Sequence, residues 1–174
     1  MPLNKYAPQA ATHRRTESAI LESTKELIAN LGISKMSMIE IADNSQVSRA
    51  TLYNHYRDKD SVLAALCDFE IRSLIALGKS AGSTAQVLEV LALRISADPA
   101  LSKLRHVDSE LLVHALAEVD HPLFRQFHDA LAIILNSQIL ADVAMSWLIG
   151  QVLQPLNAKD CQLQAEYLVA RANL

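Results

Sequence analysis

Apolar residues first repeat at helical spacing between residues 12 and 31. The repeat follows i, i+4, i+7, i+8 and i+11 along one helical face, at Ile20, Thr24, Leu27, Ile28 and Leu31. Gly32 directly after this face predicts the end of the helix. The preceding residues 1–11 are polar and contain two prolines, so we expect a disordered arm there.

Two short helices are predicted next along the chain. Ser37 and Glu40 have the spacing of a capping box, in which each side chain bonds to the backbone N–H of the other residue. Ser48 is an N-cap candidate for a second helix that continues through about His55. Two short helices joined by a turn of about three or four residues have the outline of a helix-turn-helix.

Capping residues, glycines and prolines predict seven further helices. The first is a long helix that begins at Asp58 and is ended by Gly78 and Gly82. The later starts are Ser83, Asp98-Pro99, Asp108 or Ser109, His121-Pro122, Ser137 and Asn157 to Asp160. The chain therefore predicts about ten helices, and its scarce glycine (4) and proline (5) agree with an all-α fold.

The helices divide into an N-terminal and a C-terminal group. We expect the arm at residues 1–11, a three-helix helix-turn-helix domain (a motif typical of DNA binding) at 12–60, and a second helical domain at 61–174. Net charge is −3: residues 1–60 carry 8 Lys/Arg against 7 Asp/Glu, and residues 61–174 carry 8 against 12. This balance argues against an indiscriminate polyanion binder but permits a local DNA site.

Composition excludes several other classes of protein. Hydrophobic residues make up 51 % of the chain, yet no stretch approaches the roughly 18 uncharged apolar residues of a membrane span. The N-terminus has no apolar core behind its basic pair, so no signal peptide is expected. Cys67 and Cys161 show no CxxC spacing. A cytoplasmic protein with free thiols is therefore predicted.

No pattern typical of an enzyme is present. The chain has no Ser/His/Asp order with a glycine elbow, no Gly-rich phosphate loop and no recognisable carboxylate pair, so we expect no catalysis and no cofactor. Histidines recur every seven or eight residues at His106, His114, His121 and His128, which raises the question of a metal site. Pro122 interrupts that pattern and no cysteine accompanies it. Solvated or core histidines are the preferred interpretation.

The second short helix has the two-sided pattern of a DNA recognition helix. Val47, Leu52 and Tyr56 are spaced to face the core. The outward positions are Arg49, Ala50, Thr51, Tyr53, Asn54 and His55. In a major groove arginine can pair with guanine, asparagine can pair with adenine, and alanine or the threonine methyl can contact thymine. Tyrosine and histidine can instead donate to phosphates, and further phosphate contacts are predicted at Ser48, Lys59, Ser37, Arg14 and Arg15.

These residues belong to a longer pattern of fixed spacings. It comprises Gly32, Ser37, Ile41-Ala42, Val47-Ser48, Thr51-Leu52-Tyr53, His55-Tyr56, Lys59 and Val62-Leu63. Over about residues 12–66 it resembles the DNA-binding domain of the TetR family of bacterial transcriptional regulators. The resemblance implies an all-helical homodimer that binds a palindromic operator. It also implies that the protein represses transcription and releases DNA when a small molecule binds the C-terminal domain.

Two features depart from the family pattern. Ser45-Gln46 stands where members commonly have Ala-Gly, and glutamine lacks the tolerance of glycine for positive φ. We therefore expect a strained or differently shaped turn before the recognition helix. The chain is also short, and we expect residues 67–174 to leave little room for a large effector cavity.

The resemblance implies that residues 61–174 form a regulatory and dimerisation domain with two functional surfaces. The last two helices should pair with those of a second copy, through the candidate interface Ala144, Trp147, Leu148, Leu163, Tyr167 and Ala170. A lipophilic effector would lie between helices, with candidate residues His106, His114, Phe124, Phe127, His128 and Trp147. An alternative hypothesis is a DNA-binding regulator whose C-terminal half binds a protein and no small molecule. A packed interior without a cavity would favour that alternative.

Overall fold

A computed structural model describes residues 7–118 and 120–172. This part of the chain forms ten α-helices and no strand, which confirms the predicted all-α fold. The helices are α1 (Ala7–Leu31), α2 (Met38–Asn44), α3 (Arg49–His55), α4 (Lys59–Ser80), α5 (Thr84–Ser96), α6 (Pro99–Val107), α7 (Ser109–Ala117), α8 (Pro122–Leu135), α9 (Gln138–Leu153) and α10 (Ala158–Ala172). None of the helices in these two ranges is both long and apolar enough to cross a lipid bilayer.

The first helix begins earlier than predicted. α1 starts at Ala7, so residues 7–11 are helical and the expected disordered arm is wrong for them. Residues 1–6, which complete the expected arm, lie outside the described residues. Pro8 is tolerated because the first turn of a helix has no intrahelical acceptor for its backbone N–H.

The predicted caps start the helices where they were expected. Five N-cap side chains accept a hydrogen bond from the backbone N–H three residues later, at Ser37, Ser48, Asp58, Ser83 and Ser137. At Ser83 the predicted reciprocal bond differs, because the Gln86 side chain accepts from Gly82 N at 3.1 Å. Gly78 does not end α4, which continues to Ser80.

The apolar side chains form two clusters that share α4 and meet at α6. The first cluster contains residues of α1, α2, α3 and the start of α4, together with Ala100 and Leu104 of α6 and Leu112 of α7. The second contains residues of α5, α8, α9 and α10, with Leu74 and Ile75 from the later part of α4 packed against it. The boundary predicted between residues 60 and 61 therefore falls inside α4, and part of the N-terminal core comes from the C-terminal half.

Candidate nucleic-acid interface and ligand cavity

The α2–α3 turn contains a glutamine in the left-handed backbone region. Gln46 has a φ of 55°. The backbone N–H of Val47 donates to the Ala42 carbonyl at 3.2 Å, and the Ser45 hydroxyl donates to the Ile41 carbonyl at 2.5 Å. A side chain with a β-carbon is disfavoured at positive φ, where glycine is not. The departure noted in the sequence therefore coincides with the one left-handed residue of this turn.

Helix α3 is anchored on one side and open on the other. Leu52 is fully buried, Tyr56 is 6 % exposed, and Val47 packs against the first cluster, as their spacing predicted. The opposite face consists of exposed side chains at Arg49, Ala50, Tyr53 and Asn54. A short helix held by its inner face and polar on its outer face can enter a major groove without disturbing the core.

The start of α3 is the most favourable of the nearby helix starts for an anion. The Ser48 hydroxyl accepts from the backbone N–H of Thr51 at 3.0 Å, and the two hydroxyl oxygens are 2.8 Å apart. The first turn of α3 contains no acidic residue, whereas α2 and α4 carry Glu40 and Asp60 there. Within the described residues, the Arg49 guanidinium forms no ion pair. Its charge and the helix dipole both favour phosphate at this point.

His55 is not the free phosphate donor that its position predicted. Its ring stacks on that of His13 from α1, with the ring centroids 4.1 Å apart and the planes 16° apart. Burial and the nearby charge of His13 lower the pKa of His55, with an opposing contribution from Glu17. The stack fixes the end of α3 against α1. Arg14 and Arg15 follow His13 on α1 and are exposed.

Ser37 and Lys59 already make contacts within the protein: the Ser37–Glu40 pair is the predicted capping box, whereas the Lys59 contact was not predicted. The backbone N–H of Ser37 donates to the Glu40 carboxylate at 2.7 Å, and that carboxylate repels phosphate. The Lys59 ammonium donates to the Ile33 carbonyl at 3.2 Å, in the turn between α1 and α2. Each must give up a local contact to touch DNA, and for Lys59 one of the three N–H donors is already used.

Tyr56 closes α3 with a buried phenol. Its hydroxyl forms no hydrogen bond of good geometry with the described residues, although the Glu17 carboxylate is near enough to affect it electrostatically. Burial and then the Glu17 charge raise the pKa of Tyr56 to about 12. The phenol is therefore held neutral beneath the recognition helix.

A cavity of about 560 Å³ lies between the N-terminal core and helices α4 to α9. Its size is within the usual range for small-molecule sites, roughly 300–1,000 Å³. The expectation of little room for a large effector cavity is therefore wrong. Three predicted effector residues line the cavity: His114, Phe124 and Phe127.

The other three predicted effector residues lie elsewhere. His106 is exposed and its Nδ1 lies 2.7 Å from the Ser102 carbonyl oxygen. His128 pairs across α8 and α9 with Asp142, at 2.6 Å between Nε2 and Oδ1. Trp147 Nε1 donates to Gln164 Oε1 on α10 at 2.7 Å. The His128 and Trp147 contacts depend on which helices pack together, which histidine and tryptophan positions alone do not reveal, whereas the His106 contact lies within α6.

Four charged side chains at the cavity wall form a closed network, here called the ion quartet: Lys25, Glu70, Arg94 and Asp98. Lys25 Nζ lies 2.6 Å from the Glu70 carboxylate and 2.7 Å from the Asp98 carboxylate. Arg94 lies 2.9 Å from Glu70 and 2.7 Å from Asp98. The quartet joins α1, α4, α5 and the start of α6, and the sequence analysis did not identify it.

Asp98 is the least exposed member of the ion quartet and has a second role. Its other oxygen accepts from the backbone N–H of Ala100 at 2.9 Å and of Leu101 at 3.1 Å, which caps α6. Burial alone would raise the pKa of Asp98, but hydrogen bonds from Lys25 and Arg94 outweigh it and hold the pKa below its usual value. Only the cap and the i, i+4 pair with Arg94 could have been found from sequence.

Asp108 joins the cavity helices to the helix-turn-helix domain. It lies between α6 and α7, and its carboxylate accepts from Ile33 N at 2.7 Å, from Ser34 N at 3.3 Å and from the Ser34 hydroxyl. Gly32 makes this approach possible, because a β-carbon there would lie 2.5 Å from Asp108 Oδ2. Burial opposes ionisation, yet these hydrogen bonds and the Lys59 charge keep the pKa of Asp108 below its usual value.

The predicted dimer residues fall on two different faces. Ala144 and Leu148 are buried in the second cluster, so their assignment to a partner surface is wrong. Leu163, Tyr167 and Ala170 are exposed on one side of α10, and Trp147 is half-buried. Large apolar side chains on α9 that the prediction missed are also exposed, at Ile139 (76 %) and Val143 (44 %).

Within residues 7–118 and 120–172, no group of three His, Cys, Asp or Glu side chains could hold a metal ion. His114 and His121 line the cavity mouth and His128 pairs with Asp142, so the four regularly spaced histidines do not converge. Cys67 is exposed and Cys161 is buried, and both thiols are free.

The sequence and the fold resemble known regulators. Residues 20–66 match the sequence model of the bacterial regulatory proteins of the tetR family. Among curated proteins, none matches this chain. The crystal structure of the TetR family repressor AlkX from Dietzia sp. strain DQ12-45-1b, implicated in biodegradation of n-alkanes, has a TM-score of 0.66 and 15 % identity, over 88 % of this chain and 95 % of that one.

Two further structures share the fold at similar identity. The dihydroxyacetone kinase operon activator DhaS has a TM-score of 0.61 and 14 % identity, over 90 % of this chain and 95 % of that one. A TerR/AcrR family transcriptional regulator from Aquifex aeolicus VF5 has a TM-score of 0.60 and 19 % identity, over 90 % of this chain and 99 % of that one. The helix-turn-helix segment at residues 20–66 therefore matches the sequence model of the tetR family, and the ten helices of the described residues share the fold of these regulators.

Proposed function

We propose that the protein is a homodimeric transcriptional repressor that binds a palindromic operator through α3 and releases it when a small lipophilic molecule occupies the cavity. The observation that carries the proposal is the two-sided α3. Its inner residues Leu52 and Tyr56 are fixed in the core, while Arg49, Ala50, Tyr53 and Asn54 are exposed together.

Base recognition falls to the first and last turns of that exposed face. Arg49 can donate two hydrogen bonds to the O6 and N7 atoms of guanine, and Asn54 can pair with adenine. Ala50 offers a methyl contact to thymine, and Tyr53, 54 % exposed, can donate to a phosphate. Arg14 and Arg15 add positive charge beyond the end of α3, because the His13–His55 stack holds the two helices together there.

A second copy supplies the second recognition helix. Two helices related by a two-fold axis reach successive major grooves when they lie about 34–36 Å apart. The exposed apolar residues Ile139, Val143, Leu163 and Tyr167 on α9 and α10 support pairing through these helices, since such a patch is rarely left open to water.

Ligand response is supported by the position of the cavity. Its wall includes Ile28 and Ile33 from the N-terminal core and Leu104, Leu111 and Leu112 from α6 and α7. Movement of α6 and α7 around a ligand would act on the turn held by Asp108. A cavity of this size favours a small-molecule effector over the alternative of a C-terminal half that binds only protein. Repression is proposed as in AlkX, although the fold also occurs in the activator DhaS.

The test of DNA reading compares two arginines. Duplexes would be selected from a random pool with the purified protein, and affinities for the selected and a scrambled duplex would be measured by fluorescence anisotropy at fixed salt. Arg49→Ala should weaken binding to the selected duplex by about 1–3 kcal/mol and should weaken binding to the scrambled duplex much less. Arg72→Ala removes an exposed arginine of α4 and should leave both affinities nearly unchanged. An equal loss on both duplexes with Arg49→Ala would contradict base reading.

The test of ligand response uses the same duplex. Ligands from a small-molecule library that raise the melting temperature should also lower the affinity for the selected duplex. Ala115→Trp places a large side chain at an exposed position on the cavity wall and should abolish that response while retaining DNA affinity. A reporter gene placed behind the operator distinguishes repression from activation. Its expression should rise, not fall, when the gene for the protein is deleted.

A further inference from the structure

We propose that the cavity selects uncharged lipophilic molecules that carry a hydrogen-bond acceptor oxygen, such as long-chain alcohols, ketones and esters, and that the ion quartet receives that oxygen. This inference rests on the proposed ligand response and specifies the chemistry of its ligand. It is carried by the charge balance of the quartet and by the number of N–H donors that remain unused in it.

The quartet leaves no net charge for an ionic ligand to neutralise. Two cations, Lys25 and Arg94, face two anions, Glu70 and Asp98, and every cation contacts both anions at 2.6 to 2.9 Å. A ligand carboxylate would add an uncompensated negative charge beside the Glu70 and Asp98 carboxylates, and Lys25 could neutralise that charge only if one of these anions moved away. Asp98 is 4 % exposed and also caps α6, so its displacement would leave buried charge unpaired and a helix uncapped.

An uncharged oxygen meets no such obstacle. The Lys25 ammonium has three N–H donors, of which the contacts with Glu70 and Asp98 use two. The Arg94 guanidinium has five, and its two contacts in the quartet also use two. A hydroxyl, ketone or ester oxygen can therefore accept a hydrogen bond from a cation while both ion pairs stay intact.

The remaining wall fixes the lipophilic part of the ligand. Away from the quartet the cavity is lined mainly by aliphatic and aromatic side chains, among them Leu63, Leu74, Leu101, Phe124 and Phe127. Burying alkyl chain against such a wall is favourable at about 25 cal/mol for each Å² removed from water. Polar and charged groups other than the quartet, namely His114, Glu118 and His121, line the same cavity, and the His114 and Glu118 side chains are mostly exposed.

The test is a matched series of ten-carbon probes below their aggregation limits at neutral pH. 1-Decanol, 2-decanone, decanoate, decylammonium and n-decane would be titrated into the full-length protein and followed by calorimetry and by melting temperature. We expect the alcohol and the ketone to bind at least tenfold more tightly than the carboxylate, the ammonium and the alkane.

Glu70→Gln tests the role of the quartet separately. If the cavity only preferred apolar molecules, this substitution would not change the relative affinities of the probes. The substitution keeps the side-chain shape and gives the quartet one net positive charge. The affinity for decanoate should therefore rise at least tenfold relative to the affinity for decanol. Ala115→Trp should abolish binding of the whole series if the probes occupy the cavity.

The possible outcomes distinguish the uncharged-ligand inference from the proposed ligand response and from DNA binding. Equal or tighter binding of decanoate or decylammonium to the wild-type protein would overturn the uncharged-ligand inference and leave ligand response standing. An unchanged ratio of decanoate affinity to decanol affinity in Glu70→Gln would also overturn the inference, because it would show that the quartet does not contact the ligand. Binding of none of the five probes would overturn the inference together with the lipophilic effector of the proposed function, while DNA reading through Arg49 would be judged by its own experiment.

Discussion

The Asp108 carboxylate accepts hydrogen bonds from both the hydroxyl and the backbone N–H of Ser34. The two residues are 74 positions apart, and one belongs to the cavity helices while the other belongs to the turn before α2. A change in the position of α6 and α7 must therefore move, strain or break a contact with the helix-turn-helix domain. This contact gives the proposed ligand response a specific physical route.

Replacing Asp108 should destabilise the fold and weaken the proposed release of DNA by a ligand. Asp108→Ala removes the acceptor of three hydrogen bonds and leaves the N–H groups of Ile33 and Ser34 without it, so we expect a loss of about 3 kcal/mol in unfolding free energy. Ser34→Ala removes one of those bonds and should cost about 1 kcal/mol. Urea unfolding measures both, with Asp129→Ala on exposed α8 surface as the control. A loss no larger than that of the control would show that the contact does not stabilise the protein.

The left-handed Gln46 offers a stabilising substitution. Gln46→Gly removes the steric conflict at φ 55°, and after the entropy cost of glycine we expect a net gain of about 1 kcal/mol in unfolding free energy. Asn136→Gly is the matched control, because Asn136 has a similar φ of 50° and asparagine tolerates this region better. Its gain should be smaller. A destabilised Gln46→Gly protein would mean that the glutamine side chain makes a favourable contact that outweighs the strain.

Tyr56 should make the protein sensitive to alkaline pH. Its pKa is raised to about 12 from an ordinary value near 10, so its neutral form stabilises the fold below pH 10 and that stability is lost as pH rises between 10 and 12. Tyr56→Phe lacks the titrating group, and the wild-type protein should lose up to about 1 kcal/mol relative to it between pH 8 and pH 11. Urea unfolding at both pH values tests this. A pH-independent difference between the two proteins would contradict it.

A substitution at Gly150 tests whether α9 packs against a second copy of the chain. It shares the α9 face of Ile139 and Val143, and a β-carbon added there meets no atom within 4 Å. Gly150→Leu should therefore leave the monomer fold intact, with a gain of about 0.5–1 kcal/mol from replacing a helical glycine. If α9 packs closely against a second copy, the dimer dissociation constant should rise at least tenfold in sedimentation experiments. Ser73→Leu, on exposed α4 surface, should leave it unchanged.

The local parts of the fold were predictable because their causes are local. A capping hydroxyl three residues before its N–H partner, a proline after Asp98 and an apolar face around Leu52 each act over one or two helical turns. These signals located all ten helices and the exposed face of α3. The comparison of Ser45-Gln46 with the family pattern also pointed to Gln46, and the structure places this residue in the left-handed region.

The distant contacts were not predictable because they depend on packing between helices. Apolar residues occur on every side of α9, so periodicity could not separate buried Ala144 and Leu148 from exposed Ile139 and Val143. The stack of His55 on His13 and the bond from Lys59 to the α1–α2 turn likewise depend on where α1 lies. The ion quartet joins four elements between residues 25 and 98, and beyond the local Arg94–Asp98 pair one sequence contains no signal for such an encounter.

The shared core of α1, α4 and α6 determines how the proposed DNA specificity of this protein can be re-engineered. Ala100 and Leu104 fill the N-terminal cluster from outside the helix-turn-helix segment, so a hybrid that joins residues 12–60 to a foreign effector domain would expose apolar surface beneath α1. Exchanging Arg49, Ala50, Tyr53 and Asn54 in place touches none of that surface. New operator specificity should therefore be transplanted as four side chains on an intact scaffold, not as an excised segment.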